Sequence, residues 1–145
     1  MASTPNVPAV PIIAAARITA ANTSSQGGGT IGTDIFLTES TGANGSFIER
    51  VRFSPTATTP TTTTATVARV FYSTQSSGST TNANTFLLGE VTLPAIGASN
   101  ASAAAPSIDL VLNISLPTGL HILVTNHAAP AANTAWVAIC VGADY

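Results

Sequence analysis

Lysine is absent from the 145 residues, and the whole basic complement is Arg17, Arg50, Arg52 and Arg69. Charged residues make up 7% of the chain, against about 25% in an ordinary soluble domain. Gripping a phosphate backbone takes clustered Lys and Arg, so four scattered arginines with a net charge of −2 exclude a nucleic-acid binder. The same scarcity excludes docking on an anionic membrane surface. A weakly charged Thr/Ser/Ala surface repels its own copies poorly, which suits a protein that works packed against neighbours. Cysteine occurs once, at Cys140, so no internal disulfide forms. That thiol sits in the apolar run Ala135–Val141, where a buried structural cysteine is expected.

Other absences remove classes of chemistry. No apolar run reaches the roughly 18 residues of a membrane span. Met1–Pro5 lacks a basic signal region, so synthesis in the cytoplasm without export is expected. The two histidines, His121 and His127, flank one strand, and no Gly-x-Ser-x-Gly elbow accompanies them. His121, Asp109, His127 and Asp144 have no metal-ligand spacing. The acids sit singly, and Trp136, Tyr72 and Tyr145 are too few for a sugar-binding platform. Gln26–Thr30 lacks the Lys-Ser/Thr ending of a phosphate loop. Sequons at Asn22, Asn44, Asn100 and Asn113 arise from Asn/Ser/Thr abundance and are expected to stay unused. No catalytic residue, metal or cofactor is expected, so the chain reads as a non-enzyme.

What is present is β-pattern. Residues 1–13 carry Val7-Pro8, Val10-Pro11 and Ile12-Ile13, and proline drives such a stretch into extended geometry. It reads as an N-terminal arm reaching onto a partner, ahead of a domain over 14–145. Eight short strands follow, near 14–21, 31–39, 46–54, 65–73, 85–93, 107–113, 120–126 and 134–141. In the second, Ile31, Ile35 and Leu37 lean opposite to Phe36; in the third, Phe47, Val51 and Phe53 oppose Ile48, Arg50 and Arg52. Asn44-Gly45 is a strong hairpin signal between them. In the fourth, Val67, Arg69 and Phe71 oppose Val70 and Tyr72.

No convincing amphipathic helix alternates with these strands, so the fold class is all-β, an antiparallel eight-stranded jelly-roll β-sandwich. An immunoglobulin-like sandwich is the runner-up, weakened by the missing cysteine pair. Arg50, Arg52 and Arg69 lie on strands adjacent in the chain. They form either one guanidinium stripe facing a partner's carboxylates or pairs with Glu49, Glu39 or Glu90 on their own sheet.

The proline-punctuated arm, the stretch Gly42–Val51, the strand-plus-proline element Leu88–Pro94 and the ending Gly142–Tyr145 together resemble the jelly-roll decoration or cement proteins of tailed-bacteriophage capsids. The resemblance implies a virion protein that binds the outside of an assembled head and bridges neighbouring capsomers. Its partners would be the major capsid protein and other copies of itself, as a homo-dimer or homo-trimer. The assembly interface would draw on Val7, Pro8, Val10, Pro11, Ile12, Ile13, Arg50, Arg52 and Arg69. A tail or fibre module that binds a receptor or glycan, and a hydrolase, are the rival readings.

Overall fold

The alternating pattern resolves into strands throughout a computed structural model that describes residues 10–59, 61–97 and 105–145. In chain order these are β1 (Val10–Ile18), β2 (Gly29–Thr30), β3 (Phe36–Ser40), β4 (Ser46–Ala57), β5 (Thr66–Ser73), β6 (Ser79–Thr80), β7 (Thr85–Leu93), β8 (Ile108–Leu116), β9 (His121–Asn126) and β10 (Thr134–Asp144). Among the described residues there is no helix, and so none long and apolar enough to cross a membrane. Sheet I has the order β1-β10-β4-β8 and sheet II the order β3-β9-β5-β7, while β2 and β6 form a two-residue ribbon. Every strand pairing is antiparallel. The protein is therefore an all-β sandwich of two antiparallel sheets, as the periodicity requires.

The two inner faces supply one core. Sheet I contributes Ile12 and Ile18 from β1, Trp136, Ala138 and Cys140 from β10, and Ile48, Val51 and Phe53 from β4. Ile108, Leu110, Leu112 and Ile114 of β8 pack partly buried against it. Sheet II answers with Phe36, Ala68, Val70, Leu93, Ile122 and Val124. Each large side chain so enclosed stabilises the fold by roughly 1.5 to 3 kcal/mol before ordering costs. A satellite cluster lies on the far side of sheet II, where Ile35, Phe71 and Leu123 are fully buried and Ile31 and Leu37 pack on them. Its members follow the expected leanings of Ile31, Ile35 and Leu37 and of Phe71. The chain between β1 and β3 thus covers sheet II's outer face with its own apolar residues.

Four expectations need correction. The arm does not extend to residue 13: β1 begins at Val10, pairs Val10–Ile13 with Asp144–Val141, and buries Ile12 in the core. Pro11 is compatible because β1 is an edge strand. Val7, Pro8 and the rest of residues 1–9 lie outside the described residues. The Asn44-Gly45 turn is no hairpin, since β3 and β4 belong to different sheets and the turn carries the chain across the sandwich. Gly45, at φ +91°, still meets the demand for a left-handed residue there.

The third correction concerns β4. Ile48 is fully buried and Phe47 is not, the reverse of strict alternation. A bulge is the cause: opposite Val141 and Gly142 of β10 stand Arg50 and Ile48, leaving Glu49 as an extra residue. One inserted residue moves every side chain beyond it to the other face. On the other flank β8 takes up an extra residue of its own, with Asn113 at φ 50°, a conformation asparagine tolerates. Fourth, β4 and β5 lie in different sheets, so the three-arginine stripe does not form; Arg69 is on sheet II.

Candidate functional site: the uncovered face of sheet I

Sheet I leaves its outer face open to solvent from the row of Pro11 to the row of Arg17, while Ala135, one row further along β10, is buried. Register places the side chains in rows. Pro11, Ala143, Phe47 and Ser115 form one row across β1, β10, β4 and β8. Ile13, Val141, Arg50 and Val111 form the next, followed by Ala15, Ile139, Arg52 and Asp109, then Arg17, Val137 and Ser54. The β1/β10 half is apolar and the β4/β8 half carries most of the charge. Ile13 is 79% exposed and Val111 61%, at the two ends of one row.

The charges are largely matched within the face. Arg52 donates from Nε to Asp109 Oδ1 at 2.7 Å and from Nη2 to Oδ2 at 3.0 Å, a fork-on-carboxylate pair. That guanidinium holds the Asp109 carboxyl below the usual carboxylate range. Arg50 pairs with Glu49, which the bulge sets beside it, and its Nε lies 3.6 Å from Asp109 Oδ2. Arg17 stands apart on β1, in none of the ion pairs among the described residues.

Of the residues expected at an interface, Pro11, Ile13, Arg50 and Arg52 meet on this one face. Val10 is exposed at the end of β1 but has the parity of the inner face, and Ile12 is in the core. Arg69 lies against Glu90 at 3.1 Å and 3.4 Å from His127 Nδ1, nearly buried on sheet II, so it serves its own sheet. Sequence reasoning missed Val137, Ile139, Val141, Val111 and Phe47. The available signal was the run Ala135–Val141, apolar at both parities: a strand with one face in the core and a polar outer face would alternate.

Elsewhere, Ser40 Oγ lies 2.7 Å from His121 Nδ1, but the pair are cross-strand neighbours at an exposed edge of sheet II. Tyr72 and Phe86 stack at 5.2 Å between centroids, with Phe86 and Leu87 exposed on edge strand β7. Glu39 holds its proton to higher pH than usual, because burial disfavours its charge more than the hydrogen bond from Ser40 N favours it, and Asp144 adds repulsion. Asn22 is buried with its amide donating to Gly28 O, Asn44 and Asn113 are exposed, and Asn100 lies outside the described residues. Among the described residues no cavity opens and no three of His, Cys, Asp and Glu gather.

Cys140 is fully buried on β10, and burial, aided by the charge of Glu39, pushes its thiol from 9.0 up to about 12. The folded state therefore keeps a proton that the unfolded chain releases above pH 9. The thiol's contribution is complete below pH 9 and is lost as pH rises towards 12, by an amount on the order of a few kcal/mol. Urea unfolding on either side of pH 9 should show this loss in the native sequence. Cys140→Ala should cost about 1 to 2 kcal/mol at neutral pH through a small cavity, and lose less than the native chain on the alkaline side. Rapid thiol labelling of the folded protein would contradict burial.

No protein-family model, curated protein or solved structure matches this chain.

Proposed function

We propose that this is a structural virion protein, a jelly-roll decoration or cement subunit that binds the outer capsid surface of a tailed phage and bridges and stabilises neighbouring capsomers. The jelly-roll reading is supported by nested pairing: β1 with β10, β3 with β9, β4 with β8 and β5 with β7. A long hairpin bent at β6 and rolled into two sheets has that order. The functional reading rests on one observation, the uncovered, mainly apolar face of sheet I, whose edge strand β1 continues from residues 1–9. Such a face needs a protein surface against it, and Arg50 and Arg52, already paired to Glu49 and Asp109, are held ready to share those carboxylates with a partner. The assembled shell, made of the capsid lattice and other copies of the chain, would supply that surface.

Deleting residues 1–9 should leave the melting temperature within about 2 °C of the full chain, because the pairing with β10 starts at Val10. Deletion through Ile13 should cost at least about 3 kcal/mol, since Ile12 leaves the core together with four ladder residues. Co-sedimentation with undecorated heads of the encoding virus should show binding by the full chain and weaker binding by the 10–145 truncation. Failure of the full chain to bind heads, together with glycan affinity abolished by Phe86→Ala, would replace this reading with a receptor- or glycan-binding tail or fibre module. The Tyr72–Phe86 stack, exposed at Phe86, is the feature that would carry it.

A further inference from the structure

We infer that the outer face of sheet I seats a second copy of this chain, sheet I on sheet I, about a two-fold axis running along β10. The inference rests on the structural-subunit reading and specifies its self-contact. Three observations select a second copy as the occupant.

The first is the contrast between the two outer faces. Sheet II's is sealed by the chain itself, with Ile35, Phe71 and Leu123 fully buried beneath the segment leading to β3. Sheet I's keeps Ile13 and Val111 in solvent among Phe47, Val137, Ile139 and Val141. The second is charge. Arg50, Arg52 and Arg17 against Glu49 and Asp109 sum to +1, and all but Arg17 are in ion pairs. No strong field selects a partner of opposite sign, and a copy brought face to face meets charges already matched. The third is relief. Ala15 and Ala143 beside Ile13, Ile139 and Val141 make a shallow surface, suited to another flat sheet stacked about 10 Å away.

Orientation follows from symmetry. An axis along β10 lays β10 on β10, apolar on apolar, and sets β4 of each copy over the partner's β1. Arg50 and Arg52 then face Ile13 and Ala15 and not their own equivalents, and Arg17 comes over the hydroxyl of Ser54, its row-mate. An axis across the strands would stack arginine on arginine and is disfavoured. Three strands of each copy overlap, β1, β10 and β4; at about 4.8 Å apart and roughly 30 Å long they offer on the order of 400 Å² per copy, about 850 Å² in all. That is the low end for specific contacts, so the dimer should be weak and concentration-dependent, with a Kd in the micromolar range.

Sedimentation equilibrium of the full chain should show a monomer–dimer exchange over about 1 to 100 μM. Val141→Glu, at the centre of the face, should weaken dimerisation at least about tenfold. Ile13→Arg, at an edge position too exposed to matter for folding, sets a second guanidinium against the partner's Arg50 and should weaken it with an unchanged melting curve; it carries the test if Val141→Glu fails to fold. A chain that stays monomeric to about 100 μM, or a dimer indifferent to Ile13→Arg, overturns the inference. A monomer whose Ile13→Arg variant loses attachment to heads overturns it too, giving the face to the capsid and leaving the capsid reading intact. A dimer broken by Ile13→Arg in a protein that never binds heads supports the inference and removes the capsid reading instead.

Discussion

Trp136→Ala should lower unfolding free energy by about 3 to 5 kcal/mol, a large share of the 5 to 15 kcal/mol that holds a domain folded. Trp136 is the largest fully buried side chain of the protein. It projects from β10 into the core, with Ile18 of β1 and Pro55 of β4 as its cross-strand neighbours. Those neighbours are backbone-anchored in sheet I and cannot collapse far into the space an indole leaves, so the cavity cost adds to the lost transfer energy. The melting temperature should fall by on the order of 10 °C, read by circular dichroism because the only tryptophan is gone. Trp136→Phe should cost clearly less. It retains most of the packing, and Trp136 Nε1 makes no hydrogen bond among the described residues, so none is lost. An alanine variant within 1 kcal/mol of the native protein would mean that the indole is not a packing element.

Gly142→Ala should be nearly as damaging, although it adds a single methyl to a half-buried position. A Cβ at residue 142 would fall inside 3.0 Å of the Phe47 carbonyl oxygen and 3.1 Å from Ile48 Cα. Both are backbone atoms of β4, at the bulge where Gly142 pairs with Ile48. No side chain can rotate away, so the methyl must force β10 and β4 apart, for about 2 to 3 kcal/mol or more. Ala143→Gly, one residue on, should cost only about 0.5 to 1 kcal/mol through chain entropy. Chemical denaturation of the two variants separates the accounts. A neutral Gly142→Ala would show that β10 does not lie against the bulge in this register.

Those two positions mark how far the sequence could be read. Period-2 alternation and turn chemistry made the all-β, antiparallel character legible, and the expected strands at 65–73, 85–93 and 120–126 came within about a residue of β5, β7 and β9, because their ends coincide with turn chemistry or polar runs. The burial of Cys140 followed from the apolar run around it, and the side taken by Phe71 from the alternation in its strand. Three things were not legible. The β4 bulge reverses Phe47 and Ile48 with no residue such as glycine at the inserted position to announce it; the glycine that permits it, Gly142, is almost a hundred residues away on the neighbouring strand. The start of β1 was hidden because the prolines marked residues 1–13 as an extended arm, and only an edge location lets Pro11 join a ladder. Sheet membership was hidden as well, since nested pairing sends chain-adjacent β4 and β5 to opposite layers and so parts Arg69 from Arg50 and Arg52. The candidate face was half legible: its charged strip and β1 residues were identified, but its apolar centre on β10 resembled core.

The position of β10 within sheet I carries a consequence for biosynthesis. β10 is inserted between β1 and β4, so β1 has no partner in its sheet until residues 134–144 have been made. A growing chain can close the β5/β7 hairpin early and then pair β4 with β8 and β3 with β9. Until β10 docks, it must leave the inner surfaces of Ile12, Ile18 and Phe53 without their cover. Folding is therefore completed only after the last strand emerges, on the slow timescale of long-range β pairing. A nascent chain interrupted before Thr134 would expose that apolar surface and an open sheet edge to chaperones, proteases and other chains.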